Sequence, residues 1–187
     1  MMLSIVGIGM RAFLLLVASV VLGLSIALTR HQAIGPVPPQ TGFGTFAGAA
    51  GFFASALGMW GLWFDHIDGK ILISLDTLVS FIYLAGAVSL TMALESVSSC
   101  TAMDDVSQYD RYVNDILNGG CVHTHKAPLC FHAVSPDGKD LTPGRCQTAQ
   151  ADYVFEYIGF IFGIAMVFLG YVLNRRGRGG SPASNML

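Results

Sequence analysis

Charge is scarce in this chain. Only 12% of its 187 residues are Asp, Glu, Lys or Arg, and the formal net charge is -2. A soluble domain carries about 25% charged residues, so this chain lacks the polar surface of a water-exposed globule. No basic patch is present, which excludes nucleic acid as a partner. Other signatures are missing as well. No CxxC pair occurs, so disulfide-exchange chemistry has no motif. No Gly-rich phosphate loop follows a strand, and no Ser/His/Asp spacing suggests a nucleophile. None of Asn114, Asn118, Asn174 and Asn185 begins a glycosylation sequon. These absences argue against an enzyme.

What the chain has is hydrophobicity: 53% of its residues are apolar, and its mean hydropathy is +0.59. The apolar residues gather in four runs, Ala12–Leu28, Phe43–Phe64, Ile71–Leu94 and Tyr153–Leu173. A bilayer span needs roughly 17–25 apolar residues. The expected fold is therefore an all-α membrane protein, a bundle of four transmembrane helices. Arg11 is read as the flank of a retained first span rather than part of a cleaved signal. Residues 1–174 form the membrane domain, with a polar loop at 95–152. Residues 175–187 are expected to be a flexible basic tail.

An even number of spans puts both termini on one side. Arg175, Arg176 and Arg178 crowd the end of span four, which favours cytoplasmic termini and lipid-headgroup contact. The loop holds eight acids and four bases, so it is expected to be acidic and extracytoplasmic. It also holds all four cysteines, Cys100, Cys121, Cys130 and Cys146. An even set facing an oxidising compartment reads as two disulfides, with three pairings open. The preferred one joins Cys100 to Cys146 at the loop's feet and Cys121 to Cys130 at its tip. His123, His125 and His132 lie among these cysteines, but their spacing matches no standard zinc module, so no metal site is assigned.

Inside the spans, Gly44, Gly48, Gly51, Ser55 and Gly58 fall on one helix stripe, and Gly159 and Gly163 form a second small pair. Such residues let helices approach closely; packing within the bundle is the favoured use, and a homo-oligomer the other candidate. Asp76 and Glu156 are the intramembrane acids, expected near opposite interfaces and bonded to neighbours or solvated. Trp60, Trp63 and Phe64 close span two, and Tyr153, Phe155 and Tyr157 open span four, as an interfacial belt does.

Two stretches carry a family resemblance. Leu75-Asp76-Thr77-Leu78-Val79-Ser80-Phe81, followed by Leu84-Ala85-Gly86-Ala87 and then Cys100, resembles the third helix of the MARVEL domain in its fungal form. Arg145-Cys146-Gln147-Thr148-Ala149-Gln150-Ala151-Asp152-Tyr153-Val154-Phe155 is similar to that family's approach to its fourth helix. In size and plan the chain resembles the non-classical export protein group. Tyr109–Thr142 departs from the pattern: it is longer and carries the additional Cys121 and Cys130. The resemblance implies a scaffold or organiser of plasma-membrane lateral domains such as eisosomes, and no cofactor. Its implied partners are membrane lipids, sphingolipid or sterol among them, and other membrane proteins. A small accessory subunit of a larger membrane enzyme or transporter is the alternative.

Overall fold

The computed structural model describes residues 2–63, 69–123 and 128–178. Four long helices dominate it: α1 (Met2–Arg30), α2 (Pro39–Trp63), α3 (Gly69–Ala93) and α5 (Thr142–Arg178). Each contains a stretch long and apolar enough to cross a membrane, as the four runs predict. In the bundle α1 packs on α2 and α5, and α3 packs on α5 and α2, with the α2–α3 seam the loosest. α1 therefore faces α3 across one diagonal, and α2 faces α5 across the other.

The helix ends follow from local chemistry. Pro39 opens α2, where its missing N–H costs nothing. α5 begins before its apolar run, because Thr142–Asp152 is polar yet helical. The polar loop thus ends near Thr142 rather than at residue 152. α5 also runs on to Arg178, so Arg175, Arg176 and Arg178 are the last turn of a helix and not part of a flexible tail. Nothing in Asn174-Arg175-Arg176 stops a helix, and Arg is a good helix former. Residues 179–187, Phe64 and His125 lie outside the described residues.

Between α3 and α5 sits a small cap. It contains α4 (Asp105–Val113), a two-residue antiparallel ribbon of β1 (Val122–His123) and β2 (Pro128–Leu129), and a short 3-10 turn at Phe131–Ala133. Asp104 caps α4 by accepting from the Ser107 backbone N–H at 3.0 Å. Leu28, Leu90, Leu94, Cys100, Ile116, Leu117, Cys146 and Ala149 form one apolar cluster that seats the cap on the ends of α1, α3 and α5.

The cap is stapled as well as packed. Cys100 is bonded to Cys146, and Cys121 to Cys130, with Cα atoms 5.4 and 4.1 Å apart. This is the pairing preferred from the sequence. The α1–α2 connection joins the same unit, since the Ala33 and Ile34 N–H groups donate to the Gly119 carbonyl at 2.9 and 3.3 Å. Gly119 and Gly120 have φ of 76° and 99°, a region L side chains rarely adopt. A Cβ on Gly120 would also strike the Ile34 carbonyl, so this crossing of the two loops requires glycine.

Candidate functional site: the polar interior and the cap

The small-residue stripe of α2 looks inward along its whole length. A side chain on Gly44 would meet Ser25 and Glu156, one on Gly48 the Leu22 backbone, one on Gly51 Tyr83, and one on Gly58 the Arg11 guanidinium. Ser55 is buried on the same stripe. On α5, Gly159 gives room to the Tyr83 ring, and Gly163 to Ser80. The stripes serve packing within one bundle, as favoured from the sequence, and apart from Gly48, which lets the α1 backbone approach, the glycines named give space to polar side chains.

Two polar sites fill that space. At the end of the bundle carrying the chain termini, Arg11 reaches across the α1–α3 diagonal to Asp76. Its Nη1 and Nη2 donate to Oδ1 and Oδ2, both at 2.6 Å. This bidentate pair is buried on both sides. Arg11 is therefore an interior residue, not the exposed flank that its place before an apolar run suggests. α1 starts at Met2, so Arg11 already sits two turns inside a helix.

At the cap end, α5 presents Asp152 and Glu156, four residues apart and so on one face. Both are 0% exposed. The Ser25 hydroxyl donates to Asp152 Oδ2 at 2.6 Å. Glu156 lies between Gly44 of α2 and Gly86 of α3, and Tyr83 lies beside Gly51 and Gly159. Asp152 is not a loop acid, because α5 starts ten residues earlier. Glu156 is neither solvated nor bonded to a neighbour: among the described residues its carboxylate oxygens have no hydrogen-bond partner. The Asp-xxx-Glu spacing is a signal in the sequence, hidden because only Glu156 falls inside the apolar run.

The cap inverts the usual order of polarity. Arg111 is 0% exposed and donates to the carbonyls of Ser99 and Ala102 at 2.7 and 3.0 Å and to Thr142 Oγ1 at 3.2 Å. It also faces Asp140 at 3.6 Å. Arg145 donates to the carbonyls of Leu117 and His132 at 2.9 Å each. On α4 the inward face is Ser107 and Arg111, while Val106, Tyr109 and Val113 point outward with Met103 just before them; Tyr109 is 65% exposed. Asn114, which follows α4, donates to the carbonyl of Ala93, the last residue of α3, at 2.8 Å.

Charge states in the cap follow their surroundings. The Ser107 backbone N–H holds the Asp104 carboxyl below the usual carboxylate range. Burial, then the Arg145 charge, push His31 below the ordinary histidine value. His132 is exposed, and the sulfurs of Cys121 and Cys130 are consumed by their bond. Among the described residues, no cluster of His, Cys, Asp or Glu could hold a metal.

Two hollows adjoin the cap. A cleft of about 680 Å³ lies between the two loops, lined by Gln32, Pro36, Gln40, Asn114, Asp115 and others. A shallower groove of about 390 Å³ runs from it between α2 and α3, past Pro39, Gln40, Phe43, Ala85 and Ser89. At the opposite end Arg175 is exposed and stacks over Tyr171 at 5.1 Å.

Comparison with protein-family models, curated proteins and solved structures gives no match.

Proposed function

We propose that this multi-pass membrane protein is a non-enzymatic organiser of plasma-membrane lateral domains, acting through lipid and protein contacts, with its cap extracytoplasmic and both termini cytoplasmic. The observation that carries this reading is the inverted α4. A helix over water buries its apolar face and wets its polar one; α4 instead buries Ser107 and Arg111 and exposes Val106, Tyr109 and Val113 beside Asp105 and Gln108. The Asn114 bond to Ala93 puts its C-terminal end at the level where span three ends. There an outward face of Val106, Tyr109 and Val113 meets the headgroup region of the outer leaflet, as interfacial helices do. The groove between α2 and α3 continues that surface into the hydrocarbon and offers a course for a lipid chain.

The two disulfides support the side assigned to the cap. At the other end, Arg175 and its neighbours attract anionic headgroups at about 1 kcal/mol per charge. The resemblance to MARVEL proteins of the non-classical export group points the same way.

The test uses Y109W in a W60F/W63F background, reconstituted with lipids brominated at known depths. The indole introduced on α4 is expected to be quenched by bromines near the headgroups. V106D/V113D is expected to abolish the quenching and disperse the protein's patches in cells. An unquenched indole, together with native purification as a stoichiometric complex with a large enzyme, would establish the accessory-subunit reading instead.

A further inference from the structure

The lipid-facing surfaces leave the Asp152–Glu156 site unexplained. Four elements pack around it. α1 contributes Ser25, α2 contributes Gly44, α3 contributes Tyr83 and Gly86, and α5 contributes the two carboxyls and Gly159. The titratable groups facing one another are Asp152, Glu156 and Tyr83. Among the described residues no basic side chain faces them, since Arg11 is committed to Asp76 far along α1. Also among the described residues, four buried oxygens here lack partners: Asp152 Oδ1, both carboxyl oxygens of Glu156, and the Tyr83 hydroxyl.

The room for this group is built in. Glu156 Oε1 and Oε2 lie 2.6 and 2.8 Å from where a Cβ on Gly86 would stand. Ser25 Oγ and Glu156 Oε1 lie 2.5 and 3.4 Å from the same point on Gly44. Glycine at position 86 admits the Glu156 carboxyl, and glycine at position 44 admits the Ser25 hydroxyl that bonds Asp152. Two bare carboxylates here would repel each other in a low dielectric, and each would carry a desolvation penalty that no basic partner offsets. A carboxyl that carries hydrogen is neutral, and its O–H becomes the donor that the orphaned oxygens lack.

We infer that Asp152 and Glu156 form a proton-binding site inside the bundle, where the proton is held among their carboxyl oxygens and the hydroxyls of Ser25 and Tyr83. The proton comes from water and returns to it, and the only bond made or broken is O–H. Releasing it leaves charge against the glycines of α2 and α3, so occupancy is coupled to the packing of α5 against both.

The chain itself makes the test clean, because Glu95 and Glu156 are its only glutamates. The protein is labelled with ¹³C at the glutamate δ-carbon, placed in nanodiscs, and titrated by NMR from about pH 5 to about pH 9, a range above the ordinary value of an exposed glutamate. Glu95 is exposed beyond α3 and serves as the reference. The expected result is a Glu156 signal at the position of a neutral carboxylic acid at neutral pH, absent in E156Q and displaced in D152N. E156Q is expected to stay folded, because it keeps the shape and loses no partner. A Glu156 signal already ionised at neutral pH overturns the assignment. So does one that moves when sodium is replaced by choline, which would mean that a metal cation holds the site. A Glu156 signal unaffected by D152N overturns the sharing between the two carboxyls.

Discussion

The two ends of the bundle solve the same problem differently. Each buries an acid against a glycine-lined α2, about 21 Å apart by the rise from residue 11 to residue 25 on α1. At the terminal end α1 offers Arg11, and Asp76 is neutralised by two charge-assisted bonds. At the cap end α1 offers Ser25, which bonds Asp152 without neutralising it. One site is locked by a partner that cannot leave, while the other is compensated by something that can. The contrast separates a structural pin from a group able to respond to its surroundings, and one α1 residue at each end, Arg11 or Ser25, decides which is which.

The comparison breaks most sharply at Arg11. D76N or R11A leaves one buried group unpartnered and is expected to cost about 3–5 kcal/mol, read as a large loss of thermal stability in detergent. R11M/D76L removes both charges and should recover most of it. E156Q at the other end should change stability by less than about 1 kcal/mol, since no ion pair is lost. If E156Q proves as damaging as D76N, the two ends are not different in kind.

Next in size are the staples. By loop closure, C100S/C146S opens a separation of 46 residues and should cost about 4 kcal/mol; C121S/C130S opens 9 residues and should cost about 2.6 kcal/mol. Denaturation with and without reductant would rank them, and the reverse order would show that the cap tip, not its feet, organises the cap.

A third test separates the packed face of the bundle from the open one. A Cβ on Gly48 would lie 2.6 Å from the Leu22 backbone nitrogen, while Gly23 has nothing within 4 Å. G48A should cost about 1–3 kcal/mol through overpacking, whereas G23A should be neutral or stabilising by up to about 1 kcal/mol. Equal effects in melting curves would place Gly48 outside the core.

The smallest effect concerns His31. Its folded form resists protonation, so the unfolded chain takes up the proton first as pH falls. That contribution to stability is complete above the ordinary histidine value of about 6.5 and shrinks as pH falls below it, toward the lower folded value. H31Q should flatten this slope in stability measured against pH. A slope that rises toward acid would reverse the assigned sign.

Hydropathy places the spans well, because length and apolarity are properties of a segment alone. The edges of α2 and α3 lie within four residues of the apolar runs. The glycine stripe is legible for the same reason, since helical spacing is local. Hydropathy is blind to polar helix, and so it misses Thr142–Asp152, and with it Asp152 as an interior residue. It also leaves the start of the first span open, since Ala12–Leu28 can extend into the apolar residues before Arg11; α1 does begin at Met2 and takes Arg11 inside. α4 escapes it as an element. The Val106, Tyr109, Val113 pattern is visible, but which face turns inward depends on Arg111 finding Ser99, Ala102 and Thr142.

The order of residues is thus enough for four membrane-length helices, a loop holding every cysteine, and a stripe that permits close approach. These depend on periodicity, length and counts. Tertiary packing was needed to bring Arg11 to Asp76 while Asp152 and Glu156 meet no base, and to turn the arginines of the cap inward. Those outcomes depend on how each helix is rotated about its axis against helices distant in sequence. A rotation of a fraction of a turn would exchange a buried ion pair for an orphaned charge, and no local pattern encodes it.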